Sequence, residues 1–342
     1  MNLVVQNNVP LALHTTLKTG GVARYFATVS SRVELEEAVS FASAHDVPII
    51  VIGRGSNLLV SDGGYEGLVI KMEILGRDYE SVSDTDVVLT VGAGEELDAV
   101  VEETVNRGYF GLENLSAIPG TVGATPVQNV GAYGVEVKDI IKAVEVFHLH
   151  TKKFSTLSNS DCNFGYRDSL FKSVAGKEYV IVTVQFNLST KAEPKISYRD
   201  LALHFKEVTQ PTVREVREAV VQIRAAKFPD WRVLGTAGSF FKNPIITADA
   251  AAALKQRYPD LPTYLASETE VKVSLGYVLD KICSLKGYRH GAVGLYEAQA
   301  LVLVNYGGAS AADILSFVNE VKNIVREKTE IEIEREVQYV GE

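Results

Sequence analysis

The chain has 342 residues, 46% of them hydrophobic and 23% charged, enough for two or three domains with cores and the profile of a soluble globular protein. Its net charge of −9 argues against broad nucleic-acid binding, no apolar run is long enough to cross a bilayer, and two cysteines, Cys162 and Cys283, do not make a disulfide framework. The first residues lack a basic segment, so no signal peptide is expected, and the sparing use of cysteine fits a reducing cytoplasm. A small anionic ligand is compatible with the net charge, because screening over about 8 Å lets a local basic cluster decide.

Residues 1–30 hold short apolar pieces around HTTLKTGG. Ser31 and Glu34 have the spacing of a capping box, and Leu35, Ala38, Val39 and Ala42 follow at helical period, which predicts a helix over 32–45. The apolar run 47–52 predicts a buried strand. Gly53-Arg-Gly-Ser-Asn57 leaves its end, where ligands bind in α/β folds, although it is not GxGxxG and opens no helix. Strands are expected at 67–71 and 87–91, and an amphipathic helix over 95–107 with Leu97, Val100, Val101 and Val105 inside.

Residues 111–134, GLENLSAIPGTVGATPVQNVGAYG, contain five glycines, two prolines and no Lys or Arg. Such spacing predicts a chain of tight turns. Small side chains between the turns let the backbone lie close to a flat or anionic ligand, with N–H groups as donors. The segments 143–157 and 178–189 read as strands. His148 and His150 could share a face, but no third ligand lies near them in sequence, so an exposed hairpin is expected and no metal site. In Cys162-Asn-Phe-Gly-Tyr-Arg-Asp-Ser169, Arg167 reads either as an Arg–Asp surface pair or as an anion-holding arginine.

Thr212 and Glu215 form a second capping box, opening a helix to about Lys227, with Arg224 and Lys227 one turn apart near its end. Gly235-Thr-Ala-Gly-Ser-Phe-Phe-Lys-Asn-Pro244 places Ser239 between a glycine and two aromatics. It is not G-x-S-x-G and no histidine is set as a base, so a hydrolase nucleophile is not expected, while a hydroxyl that gives a proton within a closed pocket stays open. Helices are predicted over 274–286 and 310–328, a buried strand over 299–304, and a last strand over 331–340. In that last segment Ile331, Ile333, Arg335, Val337 and Tyr339 would share one face, and Glu332, Glu334 and Glu336 the other.

NLSAIPGTVGATPVQNVGAYG, FGYRDS, GTAGSFFKNP and the closing E-x-E-V resemble the UDP-N-acetylenolpyruvoylglucosamine reductase family, in the same order and over essentially the whole chain. The resemblance implies an α+β fold of the vanillyl-alcohol-oxidase (PCMH) type. It has two FAD-binding subdomains, 1–72 (with 329–342 returning to it) and 73–210, and a third, substrate-binding α+β domain, 211–328. It implies FAD, with NADPH as co-substrate. Gly53, Arg54, Gly55, Ser56, Asn57 and Leu58 would cradle the pyrophosphate. Ser116, Ile118, Pro119, Gly120, Gly123 and Ala124, then Gln128, Asn129, Gly131, Ala132, Tyr133 and Gly134, would run along the ribityl and isoalloxazine side.

The implied reaction reduces an enolpyruvyl ether to a lactyl ether in peptidoglycan precursor synthesis, with hydride from flavin N5 and a proton from Ser239. Arg167 and Glu336 would stand by the enolpyruvyl group, the latter protonated or hydrogen-bonded so as not to repel it. Tyr166, Tyr198, Arg224, Lys227, Asn243, Tyr264 and Gln299 match substrate contacts, and Tyr198 in KISYRDL marks the longer subtype, in which a tyrosine folds over the diphosphate. Arg289-His290-Gly291 departs from the glycine pair frequent at that place, which puts the local loop geometry in question. A cytoplasmic monomer acting on a UDP-sugar, with no nucleic acid, membrane or metal, is expected. The competing readings are a flavin oxidase of the same fold acting on a hydroxy acid or sugar lactone, and a flavin- or UDP-binding module without turnover.

Overall fold

Residues 3–191 and 193–341 are described by a computed structural model, in which the chain divides into two units. The first comprises residues 1–9, 23–54 and 66–224, and the second comprises 10–22, 55–65 and 225–342.

In the first unit, Val22–Val29 runs into the helix Arg32–Ala44 and on to the strand Ile49–Ile52. The sheet order is Val5–Pro10, Val22–Val29, Tyr65–Met72, Ile49–Ile52, with the last two parallel. Leu35, Ala38, Val39 and Ala42 bury one face of the helix in the same core as Ala27, Val29, Leu68 and Ile70. That stripe is the one expected of the 3.6-residue period. The helix cap differs from a full box: Ser31 Oγ accepts from Glu34 N–H at 3.2 Å, but the Glu34 carboxylate reaches Ser30 instead, one residue earlier. The strand 49–52 is also less buried than its apolar run suggests. Its first three residues are half-covered, because it is the sheet's edge.

A second sheet in this unit is antiparallel, in the order Lys153–Ser158, Ile141–His148, Tyr179–Ser189, Asp86–Gly92, Arg77–Ser81. Arg77–Ser81, RDYES, has no apolar alternation to announce it. It is held by pairing with Asp86–Gly92 and by Arg77, which bridges Glu95 and Glu103 at 2.6 Å each. The helix Leu97–Asn106 buries Leu97, Val100, Val101 and Val105. His148 and His150 both approach Glu178, at 3.3 and 3.4 Å.

The helix Val213–Lys227 opens on the predicted box: Thr212 N–H donates to Glu215 Oε2 at 2.7 Å, and Glu215 N–H to Thr212 Oγ1 at 3.2 Å.

In the second unit, Gly235–Ser239, Val302–Asn305, Val293–Leu295 and Arg289–His290 form an antiparallel sheet. A three-stranded sheet orders Ile245–Thr247, Glu270–Val273 and Thr263–Leu265. The strand expected from Gln299 starts only at Val302, since residues 299–301 form a turn that Gln299 Oε1 closes by accepting from Leu301 N–H. The helix expected over 274–286 is one α-turn, Leu275–Tyr277, continued by the π-turn Val278–Ile282. Its apolar face is as predicted, with Leu275, Val278, Leu279, Ile282 and Leu285 all buried. The closing segment alternates in burial from Ile331 to Glu334, after which Arg335 and Glu336 are both half-buried. It becomes a strand only at Gln338–Val340, paired in parallel with Leu58–Val60. Arg289-His290-Gly291 forms a tight hairpin, with Gly291 at φ 59° and Arg289 laid over the Tyr306 ring at 4.2 Å.

The helix Ala311–Thr329 carries a full box from Ser310 and Asp313. Asp62 adds a second cap, accepting from Ala311 N–H at 2.7 Å and Ala312 N–H at 3.0 Å. These are two of the donors a helix start leaves without partners. Asp62→Ala is expected to lower stability by about 1 kcal/mol, as a lost cap does, measured as the shift in urea midpoint at unchanged slope.

Candidate functional site

Two glycine-rich segments meet in the first unit. A methyl placed on Gly53 would lie 2.1 Å from Thr121 Oγ1, so the end of the edge strand and the long turn-rich segment touch through a missing side chain. Around Thr121 the segment is tied to the start of the helix Leu97–Asn106. Leu97 N–H donates to Gly120 O at 3.1 Å, Val122 N–H to Glu95 O at 2.8 Å, and Gly123 N–H to Ala93 O at 2.9 Å. Asp98 in the helix's first turn accepts from Ala117 N–H at 2.6 Å and from Arg217 Nη1 at 2.6 Å. Arg54 pairs with Glu96 at 2.8 Å.

Residues 113–136 confirm the turn reading: short 3-10 turns at Glu113–Leu115 and Val122–Ala124, then a hairpin of Gly131–Ala132 with Val135–Glu136. Ala117, Asn129 and Tyr133 take left-handed φ values of 56, 45 and 49° without being glycine. Backbone strain of this kind gathers at functional sites.

The predicted cofactor residues divide by burial. Ser116, Gly120, Asn129 and Tyr133 are buried. Ser116 Oγ donates to Glu113 O at 2.6 Å. Asn129 spends its amide on Glu136 Oε2 and Gly165 O, both at 2.8 Å, and accepts from Lys138 N–H at 3.1 Å. Asn114, which no sequence pattern singles out, is wholly buried and donates to Tyr133 O at 2.9 Å and Lys195 O at 2.8 Å. Its only signal in sequence is an amide beside an apolar residue in a turn-rich stretch. Ile118, Pro119, Gly123, Ala124, Gln128, Gly131, Ala132 and Gly134 keep surface open. They present small, apolar or uncharged polar side chains, a surface that fits a flat ring system held by backbone donors. Of the first segment, Gly55 has φ 63° and a methyl there would strike His14 O at 2.1 Å. Ser56, Asn57 and Leu58 are half-buried, and Asn57 O accepts from Gln338 N–H at 3.0 Å. These residues fit FAD.

Tyr166 and Arg167 are the middle of a four-residue turn, Gly165–Asp168. Arg167 Nη2 donates to Gly131 O at 3.1 Å, which brings the arginine to the turn-rich segment. Arg224 also joins that segment, donating to Ala117 O at 3.1 Å. Tyr198 is 46% exposed and stands edge-on to Tyr133 at 5.5 Å. Burial pushes the Tyr133 phenol up to about 12, partly opposed by Arg224, so it is a neutral donor at physiological pH.

In the second unit, Ser239 ends its strand just past a bulge in the pairing with Val302–Asn305, with Gly238 at φ 74° before it. Bulges re-aim side chains next to sites. Glu336 N–H donates to Phe240 O at 2.8 Å, so Ser239 and Glu336 lie on neighbouring extended segments, both half-buried, beside the fully buried Phe240 and Phe241. Asn243 Oδ1 accepts from Leu275 N–H at 3.0 Å, and Gln299 Oε1 lies 3.4 Å from the Cβ position of Gly276, so these two flank the same short helix. Lys227 is the last residue of its helix, and Tyr264 is 54% exposed opposite Lys272 in the small sheet.

Residues 23–150 match the FAD binding domain family, and residues 230–340 match the C-terminal domain of UDP-N-acetylenolpyruvoylglucosamine reductase. The chain is similar to the UDP-N-acetylenolpyruvoylglucosamine reductases of Neisseria gonorrhoeae (42% identical over 98% of this chain and 97% of that one) and Chromobacterium violaceum (41% over 98% and 99%). Its fold is similar to the crystal structure of UDP-N-acetylenolpyruvylglucosamine reductase from Thermus caldophilus, with a TM-score of 0.69 and 28% identity over 100% of both chains.

Gly53 does not have positive φ, so Thr121 is the obstacle to a side chain there. Gly53→Ala is expected to lower stability by about 1–3 kcal/mol, as overpacking does, and to reduce flavin retained on purification. Adding Thr121→Gly should restore both, read by denaturation and flavin absorbance. A second test concerns Glu113, whose burial holds its carboxyl above the usual range. Just above that usual range the folded chain therefore binds a proton that the unfolded chain has lost, and stability falls as pH rises toward the raised value. Glu113→Gln removes this loss, so its stability relative to the parent should be higher at about pH 8 than at about pH 5, compared by urea midpoints.

Proposed function

The chain belongs to the UDP-N-acetylenolpyruvoylglucosamine reductase family, and from that premise we propose how its own residues carry the reaction. It is an FAD-containing, NADPH-dependent oxidoreductase that reduces UDP-N-acetylglucosamine enolpyruvate to UDP-N-acetylmuramate for peptidoglycan precursor synthesis, on an α+β flavoprotein fold of the vanillyl-alcohol-oxidase type. Bound FAD would supply the hydride-transfer chemistry that links NADPH to the enolpyruvyl double bond.

The protein must then hold the charge that develops beside the substrate carboxylate and protonate the carbon. Arg167 suits the holding of that charge. Its guanidinium can grip a carboxylate in bidentate fashion, and it is held against the turn-rich segment through Gly131. Ser239 is the proton donor and Glu336 its neighbour. The observation that supports this assignment is the bond from Glu336 N–H to Phe240 O, which joins the backbone next to Ser239 to that of Glu336. Arg224, Lys227, Tyr166, Tyr198, Asn243, Tyr264 and Gln299 hold the UDP-sugar, with Tyr198 covering its diphosphate from an exposed position.

The three-part division into 1–72 with 329–342, 73–210 and 211–328 is proposed as the functional one. A cytoplasmic monomer without nucleic-acid partners is proposed on the net charge of −9 and the two free, buried cysteines. No helix among the described residues is long and apolar enough to cross a membrane.

Ser239→Ala is expected to leave NADPH reduction of the flavin at parental rate and to slow its reoxidation by the enolpyruvyl substrate by about 10²–10⁴-fold, the usual worth of a positioned acid. Stopped-flow absorbance of each half-reaction measures this. Parental rates in both halves would remove Ser239 from its role. Reoxidation by oxygen alone, indifferent to the enolpyruvyl substrate, would favour an oxidase.

A further inference from the structure

The turn that carries Arg167 has a shape an arginine does not favour. Gly165 N–H donates to Asp168 O at 2.9 Å and Asp168 N–H to Gly165 O at 3.3 Å, closing the turn with Arg167 in third place. Arg167 has φ 52°. At that place in a turn a positive φ normally calls for glycine or asparagine, because a Cβ crowds the backbone. Something outside the turn must hold it.

Two side chains act on the carbonyls that flank the strained residues. Asn129 Nδ2 donates to Gly165 O at 2.8 Å, and Lys172 Nζ donates to Arg167 O at 2.8 Å. Both are themselves fixed. Asn129 is 1% exposed, and its remaining bonds go to Glu136 and Lys138. Lys172 ends the short turn Leu170–Lys172, anchored by buried Phe171 and by Ser169, whose Oγ donates to Val127 O at 2.6 Å and accepts from Phe171 N–H at 3.2 Å. An ammonium on a carbonyl is a charge-assisted bond, stronger than a neutral one. The guanidinium then meets Gly131 O, two residues from Asn129.

We propose that Lys172, together with Asn129, is a positioning residue for Arg167: the two pin the carbonyls on either side of the left-handed turn and so aim the guanidinium at the substrate carboxylate. This rests on the role given to Arg167 above. Lys172 reaches the chemistry only through Arg167, and it need not touch cofactor or substrate. A misplacement of about 1 Å in such a group costs on the order of 10²-fold in rate.

The test uses the holoenzyme and compares Lys172→Met, Lys172→Arg and Arg167→Ala. Lys172→Met is expected to slow flavin reoxidation by the enolpyruvyl substrate by roughly 10–100-fold, with NADPH reduction of the flavin unchanged within about twofold and the thermal midpoint little moved. Amide hydrogen exchange at Asp168 should speed up, because the bond that closes the turn opens more often. Lys172→Arg, which keeps a charged donor, should recover most of the rate and the protection. The proposal is overturned if Lys172→Met leaves reoxidation and Asp168 exchange as in the parent. It is equally overturned if both half-reactions fall together with the thermal midpoint, the mark of a merely structural lysine. Should Lys172→Met fail to retain flavin, Lys172→Gln is read by the same criteria. Arg167→Ala separates the two levels. If it slows reoxidation while Lys172→Met does not, only the positioning role fails; if it does not slow reoxidation, the role of Arg167 fails as well.

Discussion

The contact on which the first unit's ligand surface depends is the one between Gly53 and Thr121, where there is no room for even a methyl group. It fixes how closely the end of the edge strand approaches the turn-rich segment. It also explains why both segments are poor in side chains. The backbone at Gly53 runs against the Thr121 side chain and leaves no space for one of its own. N–H groups of such segments that are not spent internally, as those of Ala117, Val122 and Gly123 are, can serve as donors to a ligand. The segment is then kept from collapsing by side chains beneath it. Asp98, Asn114 and Asn129 take up backbone groups of Ala117, Tyr133 and Lys138, and they are half-buried or buried where they do so. The donor surface is therefore rigid without a regular element running through it.

The same logic bears on the roles proposed for individual residues. Ser116 and Asn129 match positions expected to contact the cofactor, yet their side chains are spent on neighbouring backbone. A buried polar group that finds a partner stabilises its surroundings, and one that loses it costs about 1–3 kcal/mol. Such residues thus stabilise the backbone of the site. Ser239, Glu336 and Arg167, the residues proposed to act on the substrate, are half-buried.

The helices were legible where a local signal coincided with a buried stripe. The capping box read at Thr212–Glu215 marked a true helix start, because the same short-range bonds that define the motif also nucleate the turn. The strands were less legible. RDYES at 77–81 has no apolar period and exists because Asp86–Gly92 lies beside it. The alternation read over 331–340 holds in burial from Ile331 to Glu334, but there the pairing is only a single bridge from Arg335 to Phe241. A strand needs a continued partner, which Gln338–Val340 finds in Leu58–Val60. Pairing with a distant segment is invisible to any window of sequence.

The site was legible in a different way. The long motifs proposed residues for it, but not what each one touches. Arg167 reads in sequence as the neighbour of Asp168, and in the fold its guanidinium turns to Gly131, because a left-handed φ reverses the chain at that residue. No propensity scale assigns that conformation to arginine, so the sequence cannot announce it. The residues that enforce it, Asn129 and Lys172, lie on either side of it in the chain, one inside the glycine-rich stretch and one in an unremarked turn. A strained backbone persists only where several independent bonds over-determine it. The density of such bonds around Gly165–Asp168 is thus itself the physical mark that this turn, rather than the arginine alone, is what the surrounding structure is built to hold.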